Sequence, residues 1–123
     1  MHLALECLAA SGQLRLRVTG TSMLPGIRPG SYVLIRCALP AEMNPGDVIL
    51  ARTENGVRLH RLVAVHRDGA EPRWITRGDS HEDCDPPLTS EQLLGVLTGV
   101  EESGPMTWFS RLRAAATRRL SIA

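Results

Sequence analysis

The chain has 123 residues, enough for one domain and too few for two, with a net charge of +1 that points to no nucleic-acid partner. Hydrophobic residues make up 43% but only two Trp, one Tyr and one Phe are aromatic, so a core must come from Leu, Val, Ile and Ala. Three separated cysteines, Cys7, Cys37 and Cys84, cannot all pair within one chain, which argues against a disulfide framework and for a reducing compartment.

Residues 1–12 predict a short helix, with Leu3, Cys7 and Leu8 on one face. They carry Glu6 and no basic leader, so they do not read as a secretory signal, and no apolar run reaches the ~20 residues of a membrane span. A cytoplasmic location is expected, or a peripheral one at the membrane. From Gln13 the period becomes two: Leu14, Leu16 and Val18 alternate with Arg15 and Arg17, a half-buried strand ended by Gly20. Pro25, Gly26, Pro29 and Gly30 enforce turns. Strands are expected over Ser31–Cys37, Asp47–Arg52, Val57–His66, Arg73–Thr76 and Leu94–Val100. Pro40–Gly46 reads as a loop, Glu54-Asn55-Gly56 as a hairpin and Asp68-Gly69 as a turn. Arg77–Leu88 is a polar, proline-containing loop, and Thr89 or Ser90 caps a single helical turn. After Ser103-Gly104-Pro105, Met106–Leu120 predicts a helix with four arginines and no acid from Arg111 onward. The fold class is mainly β: an antiparallel domain over 13–102, a short helix before it and a basic amphipathic helix or tail over 103–123.

Three side chains in this order carry the parts of a serine hydrolase: Ser22, His60 and an acid of the 79–85 loop. Ser22 follows a strand and precedes a Pro/Gly turn, which leaves nearby backbone N–H groups unpaired and able to donate to an oxyanion, at about 3–4 kcal/mol per donor. The bland alternative makes Thr21 and Ser22 ordinary turn residues. Neutral imidazole suits His60 as the base at neutral pH. On strand alternation His60 shares a face with Arg58 and Leu62, and His66, at an even spacing, competes for the same face. The chain contains no lysine, and arginine cannot serve as a base, so a Ser-Lys mechanism is excluded. His81-x-x-Cys84 beside carboxylates is a weak metal signal, because no second His/Cys pair accompanies it. No metal or other cofactor is expected.

Gly20-Thr21-Ser22-Met23-Leu24-Pro25 followed by Arg28-Pro29-Gly30, then Gly46-Asp47-Val48-Ile49-Leu50, Leu59-His60-Arg61-Leu62-Val63, Thr76-Arg77-Gly78-Asp79-Ser80 and Leu93-Leu94-Gly95-Val96-Leu97 resemble, in order, the boxes of the signal peptidase I family. The resemblance runs from Gln13 to Val100. It departs at Ser31, where the family has Asp, and it follows the branch with a His base rather than Lys. It implies that Ser22 is the nucleophile, with its own N–H in the oxyanion hole, and that Met23, Leu24 and Pro25 bind substrate. It implies His60 as the base and Asp85 as the carboxylate that orients it, ahead of Asp79 and then Asp83. The expected activity is serine endopeptidase cleavage of a precursor or leader peptide, the peptide adding as a strand beside the site. Family members carry membrane spans; here a basic C-terminal helix with Trp108 and Phe109 would lie in a membrane interface or pack on its own domain. Two alternatives stand beside this reading. One is a non-catalytic peptide-binding module. The other is a self-cleaving repressor-type domain, a branch that normally uses Ser-Lys.

Overall fold

A computed structural model describes residues 12–101 and the backbone of 119–122. Seven strands form one sheet: β1 (Gln13–Val18), β2 (Tyr32–Cys37), β3 (Val48–Thr53), β4 (Gly56–His66), β5 (Arg73–Arg77), β6 (Leu93–Glu101) and β7 (Arg119–Ile122). Their order across the sheet is β5-β4-β3-β6-β2-β1-β7. All pairs are antiparallel except β1 with β7, which is parallel. β7 also comes near β4, although four strands separate them in the sheet, so the sheet curls strongly upon itself.

The local devices are those of the sequence. β3 and β4 join through the Glu54-Asn55 turn, with Thr53 opposite Gly56, whose φ of 122° suits glycine. Pro40–Glu42 and Ser90–Gln92 are single 3-10 turns. In the second, Gln92 Oε1 accepts hydrogen bonds from the Thr89 N–H and hydroxyl. The expected N-terminal helix lies outside the described residues. So does the expected C-terminal helix over 106–118, but its last residues, Arg119 and Leu120, stand in β7. There the chain gains ladder bonds from the otherwise open edge of β1, which stabilises an extended backbone over a helical one.

Two apolar clusters cover the two faces of the sheet. One gathers Leu14, Leu16, Val18, Met23, Ile27, Val33, Ile35, Val48, Leu50, Leu59 and Leu94. The other gathers Ala38, Met43, Ile49, Ala51, Leu62, Trp74, Leu88, Leu93 and Val96. β3 is buried on both faces, which accounts for its continuous apolar run. β1 departs from simple alternation. Arg15 is only 2% exposed, because its guanidinium stacks 3.7 Å from the Tyr32 ring centroid and donates two hydrogen bonds to Glu101 Oε2 across the sheet. A paired, stacked guanidinium is the form in which an arginine tolerates burial.

Candidate active site

The segment between β1 and β2 carries Ser22 in a turn closed by the Leu24 N–H to Thr21 O and the Ile27 N–H to Met23 O. Met23 and Ile27 plug this turn into the first core cluster. Met23, 3% exposed, therefore anchors the serine turn from below and does not offer open surface to a substrate. Leu24 is half-buried, Pro25 is exposed and Ser22 is half-buried. Among the described residues the Ser22 N–H donates to no backbone acceptor, and its hydroxyl has no hydrogen-bond partner.

The loop after β5 docks on this turn. The Ser80 N–H donates to Ser22 O at 3.0 Å and the Ser80 hydroxyl to Thr21 O at 3.0 Å. The Asp79 N–H approaches Met23 Sδ at 3.5 Å. Gly78 allows this approach: a Cβ there would stand 2.8 Å from Ser22 O, 3.0 Å from His81 Nδ1 and 3.1 Å from Ser22 Cβ. Ser22 and His81 thus flank the same glycine. His81 in turn sets its ring edge-on to that of His60, with centroids 5.4 Å apart.

His60 lies in the middle of β4 opposite Ile49 of β3, on the face of the second cluster, and is buried. Its Nδ1 lies 2.6 Å from Asp85 Oδ2, and the same oxygen accepts the Thr76 hydroxyl at 2.7 Å. Asp85 is held there by its own N–H, which donates to Thr76 O. The Trp74–Leu88 bridge fixes the end of the loop against β5. Arg58 Nε stands 3.7 Å from Asp85 Oδ2.

Burial is the largest influence on His60 and lowers its pKa from 6.5, with Arg58 and His81 adding to it; the bond and charge of Asp85 work the other way and are outweighed. Burial works against the Asp85 carboxylate, but the bonds from His60 and Thr76 prevail and hold its pKa below the ordinary 3.8. The pair is therefore a neutral imidazole beside an ionised carboxylate. The carboxylate draws the ring proton to Nδ1 and leaves a lone pair on Nε2, the arrangement a general base requires.

Of the acids in the loop, Asp85 reaches the imidazole, whereas Asp79 is engaged by a bidentate pair with Arg61, at 2.9 and 2.8 Å. Arg61 also donates to Gly46 O, which ties the loop to the turn before β3. Asp83 is exposed, and its carboxylate makes none of the described contacts with His60. His66 does not share the face of His60. A bulge between Leu62 and Ala64 in the β4–β5 pairing shifts the alternation by one, so Val65 joins the Leu62 side and exposed His66 pairs with Arg73 on the other. His81 was legible only as half of a weak His/Cys pair. It groups with His60 and Asp85, and Cys84 stays outside that group. No sequence period could have revealed this, because the contact joins a loop to a strand.

Among the described residues no helix is long and apolar enough to cross a membrane. The Peptidase S24-like family model matches residues 1–89, a span that includes the serine turn, the His60 strand and the acidic loop. No curated protein matches the chain. By that match the chain belongs to the Peptidase S24-like family, which supports a peptidase-like or self-cleaving repressor-type domain.

Proposed function

We propose that the chain is a serine endopeptidase with a Ser22-His60-Asp85 mechanism, acting on a precursor or leader peptide in the manner of the histidine-base signal peptidases. The observation that carries this reading is the buried His60–Asp85 pair at 2.6 Å, whose acid comes from the loop that docks on the serine turn, in a chain with no lysine to act as the base. In the reaction His60 Nε2 takes the proton of Ser22 Oγ as the oxygen attacks the peptide carbonyl carbon. The Ser22 N–H, which has no acceptor among the described residues, donates to the oxyanion. The imidazolium is stabilised by Asp85 and returns its proton to the leaving amine; water then repeats the cycle on the acyl-enzyme. No Ser22–His60 hydrogen bond is present among the described residues, and such bonds commonly tighten only with substrate in place.

The test is labelling by a fluorophosphonate, which phosphonylates activated serines with loss of fluoride, irrespective of the natural substrate. Parent protein is expected to be labelled at Ser22, with labelling abolished in Ser22→Ala and in His60→Ala. Labelling of Ser22→Ala at the parental rate, or none of the parent, would overturn the assignment. The family match also admits self-cleavage; a cleavage half-life independent of protein concentration would identify that mode.

A further inference from the structure

The proposed chemistry uses His60 and Asp85 and leaves His81 without a role. Yet His60, His81 and Asp85 each offer one ligand atom within 4.8 Å of the other two. We propose that these three side chains bind a single borderline divalent transition ion, zinc being the reference case, and that the bound ion switches the peptidase off. The second half rests on the function proposed above; the site itself does not.

Two imidazoles and a carboxylate are a donor set for zinc and its neighbours, not for magnesium or calcium, which take oxygen ligands. Three protein ligands leave the fourth position of a tetrahedral ion open, to water or to the substrate. Zinc–nitrogen and zinc–oxygen bonds of about 2.0–2.2 Å separate neighbouring donors by roughly 3.3 Å in a tetrahedron. His60 and Asp85 already stand closer than that, at 2.6 Å between Nδ1 and Oδ2. The described contacts of the Asp85 carboxylate all go to Oδ2, so Oδ1 is the oxygen with lone pairs to give. His81, on an exposed loop, is the member able to move inward to complete the set. Arg58, 3.7 Å from Asp85, opposes a second cation, so binding should be weaker than at a structural zinc site.

The switch follows from which nitrogen is taken. Asp85 faces Nδ1 of His60, so an ion shared by the two occupies Nδ1. A neutral imidazole bound through Nδ1 carries its proton on Nε2. No proton is gained or lost, but the lone pair that would accept the proton of Ser22 is gone. Asp85, turned to the ion, no longer stabilises an imidazolium.

The experiment is competition for zinc between the full chain and a chromogenic zinc-binding dye. It is read for the parent, for His81→Ala, and for Cys7→Ser/Cys37→Ser/Cys84→Ser, which removes every thiol. The expected result is one zinc per chain in the parent and in the thiol-free protein. Affinity in His81→Ala should fall by no less than the roughly 10–100-fold that loss of even an outer-shell partner produces. His81 is exposed, and circular dichroism checks that its variant is folded. Failure of the parent to take zinc from the dye, loss of binding with the thiols, or equal affinity in His81→Ala would each overturn the site. In a second arm, zinc should slow fluorophosphonate labelling of Ser22 in the parent, a chelator should restore it, and His81→Ala should be labelled at the same rate with and without zinc. Undiminished labelling of a zinc-loaded parent would overturn the switch. A parent that is never labelled even without zinc fails as a peptidase, and the dye titration still decides the site.

Discussion

Replacing Asp85 by asparagine keeps the shape of the side chain and removes the charge on which the proposed base, His60, depends. In the parent, one oxygen of Asp85 holds His60 at 2.6 Å and Thr76 at 2.7 Å. Hydrogen bonds to a charged group contribute about 1.5–3 kcal/mol each, and an amide oxygen can still accept one of them, so the loss in stability should be about 1.5–3 kcal/mol. The effect on catalysis should be larger. Without the carboxylate nothing stabilises the imidazolium, and an amide NH2 turned toward Nδ1 would place the ring proton on the wrong nitrogen. The same change in the template serine triad lowers turnover by about 10⁴-fold, equivalent to roughly 5 kcal/mol of barrier. The pH profile should move in a defined direction. Asp85 supplies the influences that raise the His60 pKa, whereas burial, Arg58 and His81 lower it, so their balance falls further in the variant. The acid limb of labelling by fluorophosphonate, already below 6.5 in the parent, should shift to lower pH as the plateau drops. The assay is the second-order labelling rate against pH, with urea unfolding to measure stability. A plateau within tenfold of the parent, or an acid limb displaced upward, would refute the pairing as the source of base catalysis.

Gly78→Ala places a methyl group 2.8 Å from Ser22 O, so the acidic loop and the serine turn must separate; labelling of Ser22 should fall steeply and unfolding should show a loss of about 1–3 kcal/mol. Gly95→Ala sets a Cβ 2.6 Å from both Arg36 O and Ile35 Cγ2 in the β2–β6 pairing, and should destabilise by at least as much, read as a lower urea midpoint at unchanged slope. Asp79→Asn breaks the Arg61 pair, which is partly solvent-exposed and therefore worth only about 1 kcal/mol, while labelling falls because the loop is released from Gly46. Stability itself should decline with acid in two stages. His60 has a folded pKa below 6.5, so its contribution is present above 6.5 and lost as the pH falls through the lower folded value. Asp79, held low chiefly by its bonds to Arg61, and Asp85, held low by His60 and Thr76 against its burial, behave likewise below 3.8. A chain whose stability rose between neutral pH and mild acid would contradict the buried neutral imidazole.

Much of the site is legible in the residues. Alternation of Leu14, Leu16 and Val18 marks β1, and Asn55-Gly56 marks the β3–β4 hairpin, because side-chain direction and turn geometry are local properties of the chain. Ser22 and His60 stand out by type and placement and Asp85 by resemblance alone, and the lack of lysine leaves histidine as the candidate base. Local rules failed where distant segments meet. Arg15 reads as a surface residue and is buried, because Tyr32 and Glu101 come from other strands. His66 reads as a competitor on the face of His60 until the bulge against β5 turns it to the opposite face.

The sequence by itself determined the inventory: a mainly β chain with a serine at a turn, histidines in and beyond a strand, and a loop of competing acids. Tertiary structure decided the partnerships. Insertion of β6 between β3 and β2 and docking of the 78–85 loop on the serine turn chose Asp85 over Asp79 for His60, gave Asp79 to Arg61, and brought His81 against His60. The physical reason is range. Periodicity and turn chemistry act over a few residues, whereas an ion pair or a shared ligand set depends on close approach in space, which only the folded sheet provides.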